Sequence, residues 1–476
     1  MTTATRDAAL AAAAAHFDSG AFAQGLAKRV AVRSESQDAA SGPALRVYLQ
    51  DHIAPSLAAL GFTCQLYDNP ARARTAGGPA PGPFMTASRH EADNMPTVLM
   101  YGHGDVIRGQ DASWRRGQGP WVLVAEGDKL YGRGTADNKG QHTINIDALA
   151  QVLALRGGRL GFNLKWLFET GEETGSPGLA DFCRAHAAEL AADALIASDG
   201  PRWSRDLVTV FLGSRGVANF ELSLDLRAGA HHSGNWGGLL RNPGTVLAHA
   251  ITSLVDARGC IRVAALRPPP IPANVRAALQ GLQVTGAEDD PQVDADWGEP
   301  GLSPAERVIA WNTLEVLAYT TGNSQHPVNA IPSSAQAHMH MRFVVGTDIQ
   351  PLQQHVQTHL ARAGYGDVQV SRPEISAATR LDPDHPWVRF VLASTARSTG
   401  VAPVLLPNLG GSLPNDVFAD ILGLPTVWIP HSYAGCCQHA PDEHLLASVA
   451  RQALQIMAGL YWDLGDAGAA LPRRSS

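Results

Sequence analysis

The chain has 476 residues, 45% of them apolar and 17% charged, with a formal net charge of -7. That length exceeds one compact core and calls for two domains, while the composition excludes disorder over most of the chain. A mildly acidic protein lacks the electrostatic footprint for nucleic acid or anionic membrane, and no apolar run is long enough to span a bilayer.

The alanine-rich stretch 8–15 follows Asp7 and lacks a basic leader, so it predicts a surface helix, not a signal peptide, and with it a cytoplasmic location. The Gly/Pro-rich segment 71–83 reads as a surface loop. Three short apolar runs follow, at 98–101, 164–168 and 195–197, each closed by glycine or carboxylates. Between the first two, Ile144, Ala148 and Val152 share one helical face. Buried strands separated by helices predict an α/β sheet covered on both faces.

Near Arg215 the pattern changes: Phe220, Leu222, Leu224 and Leu226 alternate, as in a strand with one exposed face. A strand over 338–345, a helix marked by Leu352, Val356 and Leu360, and a strand over 368–370 complete an α+β block. Its stretches 268–272 and 288–296 read as loops. From about residue 380 the first pattern returns, with a helix over 387–398, a strand over 426–429 and a closing helix over 445–461. The order predicts a split α/β domain, 1–214 with 380–476, carrying an inserted domain over 215–379.

The five cysteines, Cys64, Cys183, Cys260, Cys436 and Cys437, contain no CxxC pair, and the adjacent Cys436 and Cys437 read as reduced, packed thiols ahead of a redox or metal role. Metal-type ligands cluster instead in five other segments. In Gly102-His103-Gly104-Asp105 an imidazole can bind a metal through one nitrogen while the other donates to a carboxylate. In Gly132-Arg133-Gly134-Thr135-Ala136-Asp137 the aspartate stands at a helix entrance. Taken alone it is best read as a helix cap, although its two oxygens could bridge two cations. Glu169-Thr170-Gly171-Glu172-Glu173 crowds carboxylates that repel unless cations sit nearby; a solvated acidic turn is the alternative. Ser198-Asp199-Gly200 closes a strand, and Gln438-His439-Ala440-Pro441-Asp442-Glu443-His444 follows one. Each signal is weak alone; the ordered set is strong. No G-x-S-x-G elbow supports a serine hydrolase.

These segments resemble the M20 family of metallopeptidases, which includes carnosinase-like dipeptidases, glutamate carboxypeptidases and N-acyl amino acid deacylases. GHGDV, GRGTADNKG, ETGEETGS, SDGP and QHAPDEH match its motifs in order, over nearly the whole chain. The resemblance implies a zinc-peptidase-like α/β catalytic domain, with a mixed sheet flanked by helices, and an inserted α+β lid and dimerisation domain. By motif match, Asp137 would bridge two zinc ions (cobalt or manganese also suit such ligands), His103 and Asp199 would complete one site, and Glu173 and His439 the other. Glu172 resembles the general base that works on a metal-activated water, and Asp105 the residue behind His103.

In the inserted domain, His232 of His231-His232-Ser233-Gly234 resembles the histidine that reaches a partner subunit's active site in a homodimer. Asn329 and Arg342 resemble the pair that holds a substrate carboxylate, a task that suits the planar guanidinium fork, though Arg342 alone reads as a surface strand residue. Gly411 and Ser412 resemble a substrate-contacting loop of the catalytic domain. The paired Cys436 and Cys437 depart from the family pattern and bear on specificity. The expected activity is cleavage of a small peptide, as dipeptidase or carboxypeptidase. The alternatives are deacylation of an N-acyl amino acid and, behind it, ligand binding without catalysis, which the full set of ligands and Glu172 argues against.

Overall fold

A computed structural model of the chain describes residues 4–72, 80–284 and 292–474. It divides into two compact units, Met1–Leu212 with Leu381–Leu406 and Pro414–Ser476, and Gly213–Arg380 with Pro407–Leu413. The segment 407–413 thus clusters with the second unit, where the sequence reading had it in the catalytic domain. The reason is local: Arg215 Nε donates to Gly410 O at 3.0 Å, and Ser412 Oγ donates to Arg215 O at 2.7 Å.

The first unit is built on an eight-stranded mixed sheet in the order Thr63–Tyr67, Phe84–Arg89, Asn163–Glu169, Thr97–His103, Ala194–Ala197, Thr426–Trp428, Thr209–Phe211, Val404–Leu406. Thr97–His103 runs parallel to both Asn163–Glu169 and Ala194–Ala197. These three strands are buried almost end to end, so they read as continuous apolar runs. The helix Lys139–Leu155 is also buried along most of its length, and Ala447–Ala467 packs against it, against Pro386–Thr399 and against Arg6–Asp18. The helix Arg6–Asp18 lies at the surface as expected, with Asp7, Ala11, Ala15 and Asp18 exposed, while its other face packs on the closing helix: Ala9 and Ala13 are fully buried because alanines let two helices approach closely. The closing helix starts at Ala447, since Leu445 and Leu446 pair with Leu130 and Lys129 in a short antiparallel ladder.

The second unit has an antiparallel sheet in the order Thr313–Thr321, Ser334–Phe343, Gly216–Asp225, Gln369–Val370. Burial alternates along its two central strands, with Phe220, Leu222, Met339 and Met341 facing a core shared with the helices Pro243–Leu254 and Leu352–Arg362. The outward positions of Ser334–Phe343 carry Gln336, His338, His340 and Arg342. Parts of the expected loops, 73–79 and 285–291, lie outside the described residues. Among the described residues no helix is long and apolar enough to cross a membrane.

Candidate metal centre

Three neighbouring parallel strands deliver the first ligands. Their register sets His103 opposite Glu169, and the same register continued past Ala194–Ala197 sets Asp199 level with His103. The chain after Glu169 turns through a short 3-10 helix, Glu172–Thr174, that carries the adjacent carboxylates. The remaining ligands arrive on loops. Asp137 ends the turn 132–137, where Gly134 has φ +86° and Gly140 lies so close to Thr135 O that any Cβ would collide with it. His439 lies between Cys436 and the ladder that begins at His444.

Two triads result, His103–Asp137–Asp199 and Asp137–Glu173–His439, each with its ligand atoms within 4.8 Å of one another. Asp137 belongs to both. Its Oδ1 lies 2.9 Å from His103 Nε2, and its Oδ2 lies 3.2 Å from His439 Nε2. Asp199 Oδ2 is 3.7 Å from His103 Nε2, and Glu173 Oε2 is 2.9 Å from His439 Nε2. Ligands around 2.0–2.1 Å from one tetrahedral ion stand about 3.4 Å apart, so these separations suit common centres. Asp199 Oδ2 is buried with no hydrogen-bond partner, which costs free energy unless a cation meets it. Nitrogen and carboxylate donors with one shared carboxylate therefore fit a pair of divalent cations of the zinc type.

The electrostatics follow from crowding. Burial pushes Glu172 well above the usual carboxylate range; Asp199, Glu173 and Asp137 add to it, and His103 opposes it. Burial and then Asp137 push Glu173 up to about 7, and burial and Asp137 push Asp199 up to about 6. For Asp137 burial acts upward too, but His103 and His439 outweigh it and hold the group low. Hydrogen bonds to Asp137 and Glu173 raise His439 to about 10.

The surrounding residues fix this geometry. His103 Nδ1 lies 3.1 Å from Asp105 O and 3.4 Å from Asp105 Oδ1. The Asp105 carboxylate also accepts the backbone N–H groups of Glu172 at 3.2 Å and Glu173 at 3.1 Å. It therefore orients the imidazole and the acidic turn together. Two residues escaped the sequence reading. Gln438 Nε2 donates to Asp137 Oδ2. Glu443 grips the 132–137 turn from the His439 segment: Oε2 accepts from Arg133 Nη1 and Gly134 N, both at 2.9 Å, and Oε1 accepts from Ala136 N at 2.9 Å and Asp137 N at 3.1 Å. Its one sequence signal is its place inside the segment 438–444.

The second unit makes two groupings of its own. The strand His231–His232 pairs with Ala330–Ile331, and Ser233 N donates to Asn329 O at 2.9 Å, so His232 and Asn329 are neighbours. His231 is half-buried with its ring edge-on to Trp236, whereas His232 is exposed and its Nδ1 accepts from Gly234 N at 3.1 Å. Separately, Arg342 Nη1 donates to Ser412 Oγ at 2.7 Å, beside Gly411.

Residues 99–463 match the profile of peptidase family M20/M25/M40. The chain is 27% identical over 333 residues to a cysteinylglycine-S-conjugate dipeptidase of Corynebacterium striatum, covering 67% of this chain and 70% of that one. It is 32% identical over 249 residues to a mouse (Mus musculus) beta-Ala-His dipeptidase, a match that spans about half of that relative, 50%, and 51% of this chain. The solved structure of the dipeptidase Dug1p from Saccharomyces cerevisiae superposes with a TM-score of 0.76 at 20% identity, covering 96% of this chain and 98% of that one, and shows the shared fold.

Proposed function

The chain belongs to peptidase family M20/M25/M40, and from that premise we propose that it is a metal-dependent hydrolase that cleaves the amide bond of a dipeptide or similarly small peptide. The observation that carries this reading is the shared carboxylate of Asp137 between two complete ligand triads. His103, Asp137 and Asp199 would hold one zinc ion, and Asp137, Glu173 and His439 a second. Such cations would bring the pKa of a bound water down to near neutrality and polarise an amide carbonyl.

The chain's own residues perform the rest. Glu172 takes the proton of the attacking water and returns it to the leaving amine; its place beside Glu173 in the acidic turn next to the triads supports that role. Asp105 fixes His103 and the backbone of Glu172. Arg342, Asn329 and the 411–412 loop bind the substrate carboxylate, a reading supported by the Arg342–Ser412 hydrogen bond. His232 serves the active site of a partner copy in a homodimer and stabilises the oxyanion there; its exposed ring supports that role. Among the described residues no disulfide joins the cysteines, which supports a reducing, cytoplasmic setting.

The test is a panel. Zinc-loaded protein is assayed against Cys-Gly, beta-Ala-His, simple dipeptides and N-acyl amino acids. Turnover of a dipeptide that is lost on chelation is expected. Cleavage of the N-acyl amino acids with no dipeptide turned over would replace peptidase by deacylase, and a protein inert to the whole panel would remove the hydrolase reading.

A further inference from the structure

The second unit's sheet has one face in its core, and at one end of its other face two guanidiniums stand together. Arg215 immediately precedes the strand Gly216–Asp225, in which Val217 pairs with Arg342 and Asn219 with His340. Arg215 is 9% exposed. Its guanidinium meets backbone carbonyls only: Nε donates to Gly410 O at 3.0 Å and Nη1 reaches Trp311 O at 3.5 Å. Among the described residues, Nη2 has no partner and neither Arg215 nor Arg342 makes an ion pair. The two arginines share Ser412, whose Oγ accepts from Arg342 Nη1 and donates to Arg215 O, both at 2.7 Å.

Burying a guanidinium beside a second one, with no carboxylate paired to either, is unfavourable unless an anion completes the arrangement. Burial first, and then Arg342, pulls Arg215 down to about 10, with Glu315 opposing. Burial, Arg342 and Arg215 also hold the neighbouring His340 below its usual range, so it stays neutral at pH 7 and adds no charge. Tethering the 407–413 loop would occupy only the donors that already face carbonyls. It does not use Nη2. With the exposed Glu315 nearby, two guanidiniums leave a net charge of about one, which matches a single carboxylate.

We infer that Arg215 is the second guanidinium of the substrate-carboxylate subsite, so that Arg215, Arg342 and Ser412 Oγ together select peptides with a free terminal carboxylate. This rests on the peptidase reading for its substrate but on Arg215 alone for its novelty, since the sequence motifs point to Arg342 and not to Arg215.

The experiment compares alanyl-glycine with its carboxamide on zinc-loaded wild type, Arg215→Met and Arg215→Lys. In Arg215→Met the KM for the free acid rises on the order of 10–100-fold, as for a lost charge-assisted hydrogen bond, while kcat falls less and the KM for the amide hardly moves. Arg215→Lys keeps the charge and gives an intermediate rise, again confined to the acid, which covers the case in which the methionine variant fails to fold. Equal losses on acid and amide with a lowered melting temperature would make Arg215 a mere tether, and unchanged constants would remove it from the subsite. If the wild type cleaves neither compound, the peptidase reading fails first. Calorimetric titration with the same pair then tests the subsite without turnover, and equal affinity for acid and amide overturns it.

Discussion

Replacing Glu443 by glutamine is the sharpest perturbation the centre offers, because it preserves shape and removes one charge. Arg133 and Glu443 are each 1% exposed, and their ion pair is 2.9 Å long. Four donors converge on the carboxylate, two on each oxygen. A carboxamide has one acceptor oxygen. Whichever way it turns, its NH2 faces either Arg133 and Gly134 or the amides of Ala136 and Asp137. Breaking a buried pair from one side leaves an uncompensated charge and costs about 3–5 kcal/mol. With a urea slope of roughly 3 kcal/mol per molar, the unfolding midpoint falls by about 1 to 1.7 M. The same carboxylate ties the Asp137 turn to the His439 segment, so dialysed variant should also retain less zinc by elemental analysis. Asp442→Asn is the control. The Asp442 carboxylate accepts two backbone N–H groups, from Arg115 at 2.8 Å and Arg116 at 2.9 Å, in an exposed setting. Its replacement should stay within about 1 kcal/mol of wild type. A Glu443→Gln protein as stable as that control, with its full zinc content, would refute the grip argument.

Four further outcomes are expected. Chelation abolishes peptide hydrolysis and lowers the melting temperature, and zinc restores both; activity that survives exhaustive chelation would contradict the metal assignment. Glu172→Gln retains its metal while kcat drops by about 10²–10⁴, and an ordinary kcat would exclude Glu172 as base. Asp137→Asn loses zinc from both sites whereas Asp199→Asn loses it from one, so equal stoichiometries in the two variants would deny the bridge. Burial raises the thiols of Cys183 and Cys436 to about 12, so both stay protonated at pH 8 and are labelled by iodoacetamide only on unfolding, while the exposed Cys437 reacts first; peptide mass spectrometry of Cys183 modified at the same rate would oppose this.

The division between what the sequence reveals and what it hides is physical. Thr97–His103, Asn163–Glu169 and Ala194–Ala197 are buried almost throughout, so their apolar character is continuous and ends abruptly in ligands. Local pattern suffices there. Leu445 and Leu446 look equally like the first turn of a helix, and only their pairing partners 129 and 130 make them strand. The helix Arg6–Asp18 is only half legible: alanine is at home on a surface or in a tight helix contact, and composition does not tell which face packs. Arg215 looks like a boundary residue until the 407–413 loop folds onto it.

The same distinction separates the ligands themselves. His103 and Asp199 stand level at the ends of neighbouring parallel strands, and the turn bearing Glu172 and Glu173 follows the next strand over. Sheet register alone brings them to one edge, where ligands of α/β sheets collect. Asp137 and His439 enjoy no such register. They ride on loops far apart in sequence, and a few tenths of an ångström at either would spoil the proposed sharing of one carboxylate between two triads. Something must clamp one loop to the other, and the clamp has to be multivalent, because a lone hydrogen bond leaves a hinge. A buried carboxylate that spends both oxygens on the opposite loop meets that requirement, and Glu443, one of the two residues that escape the sequence reading, supplies it.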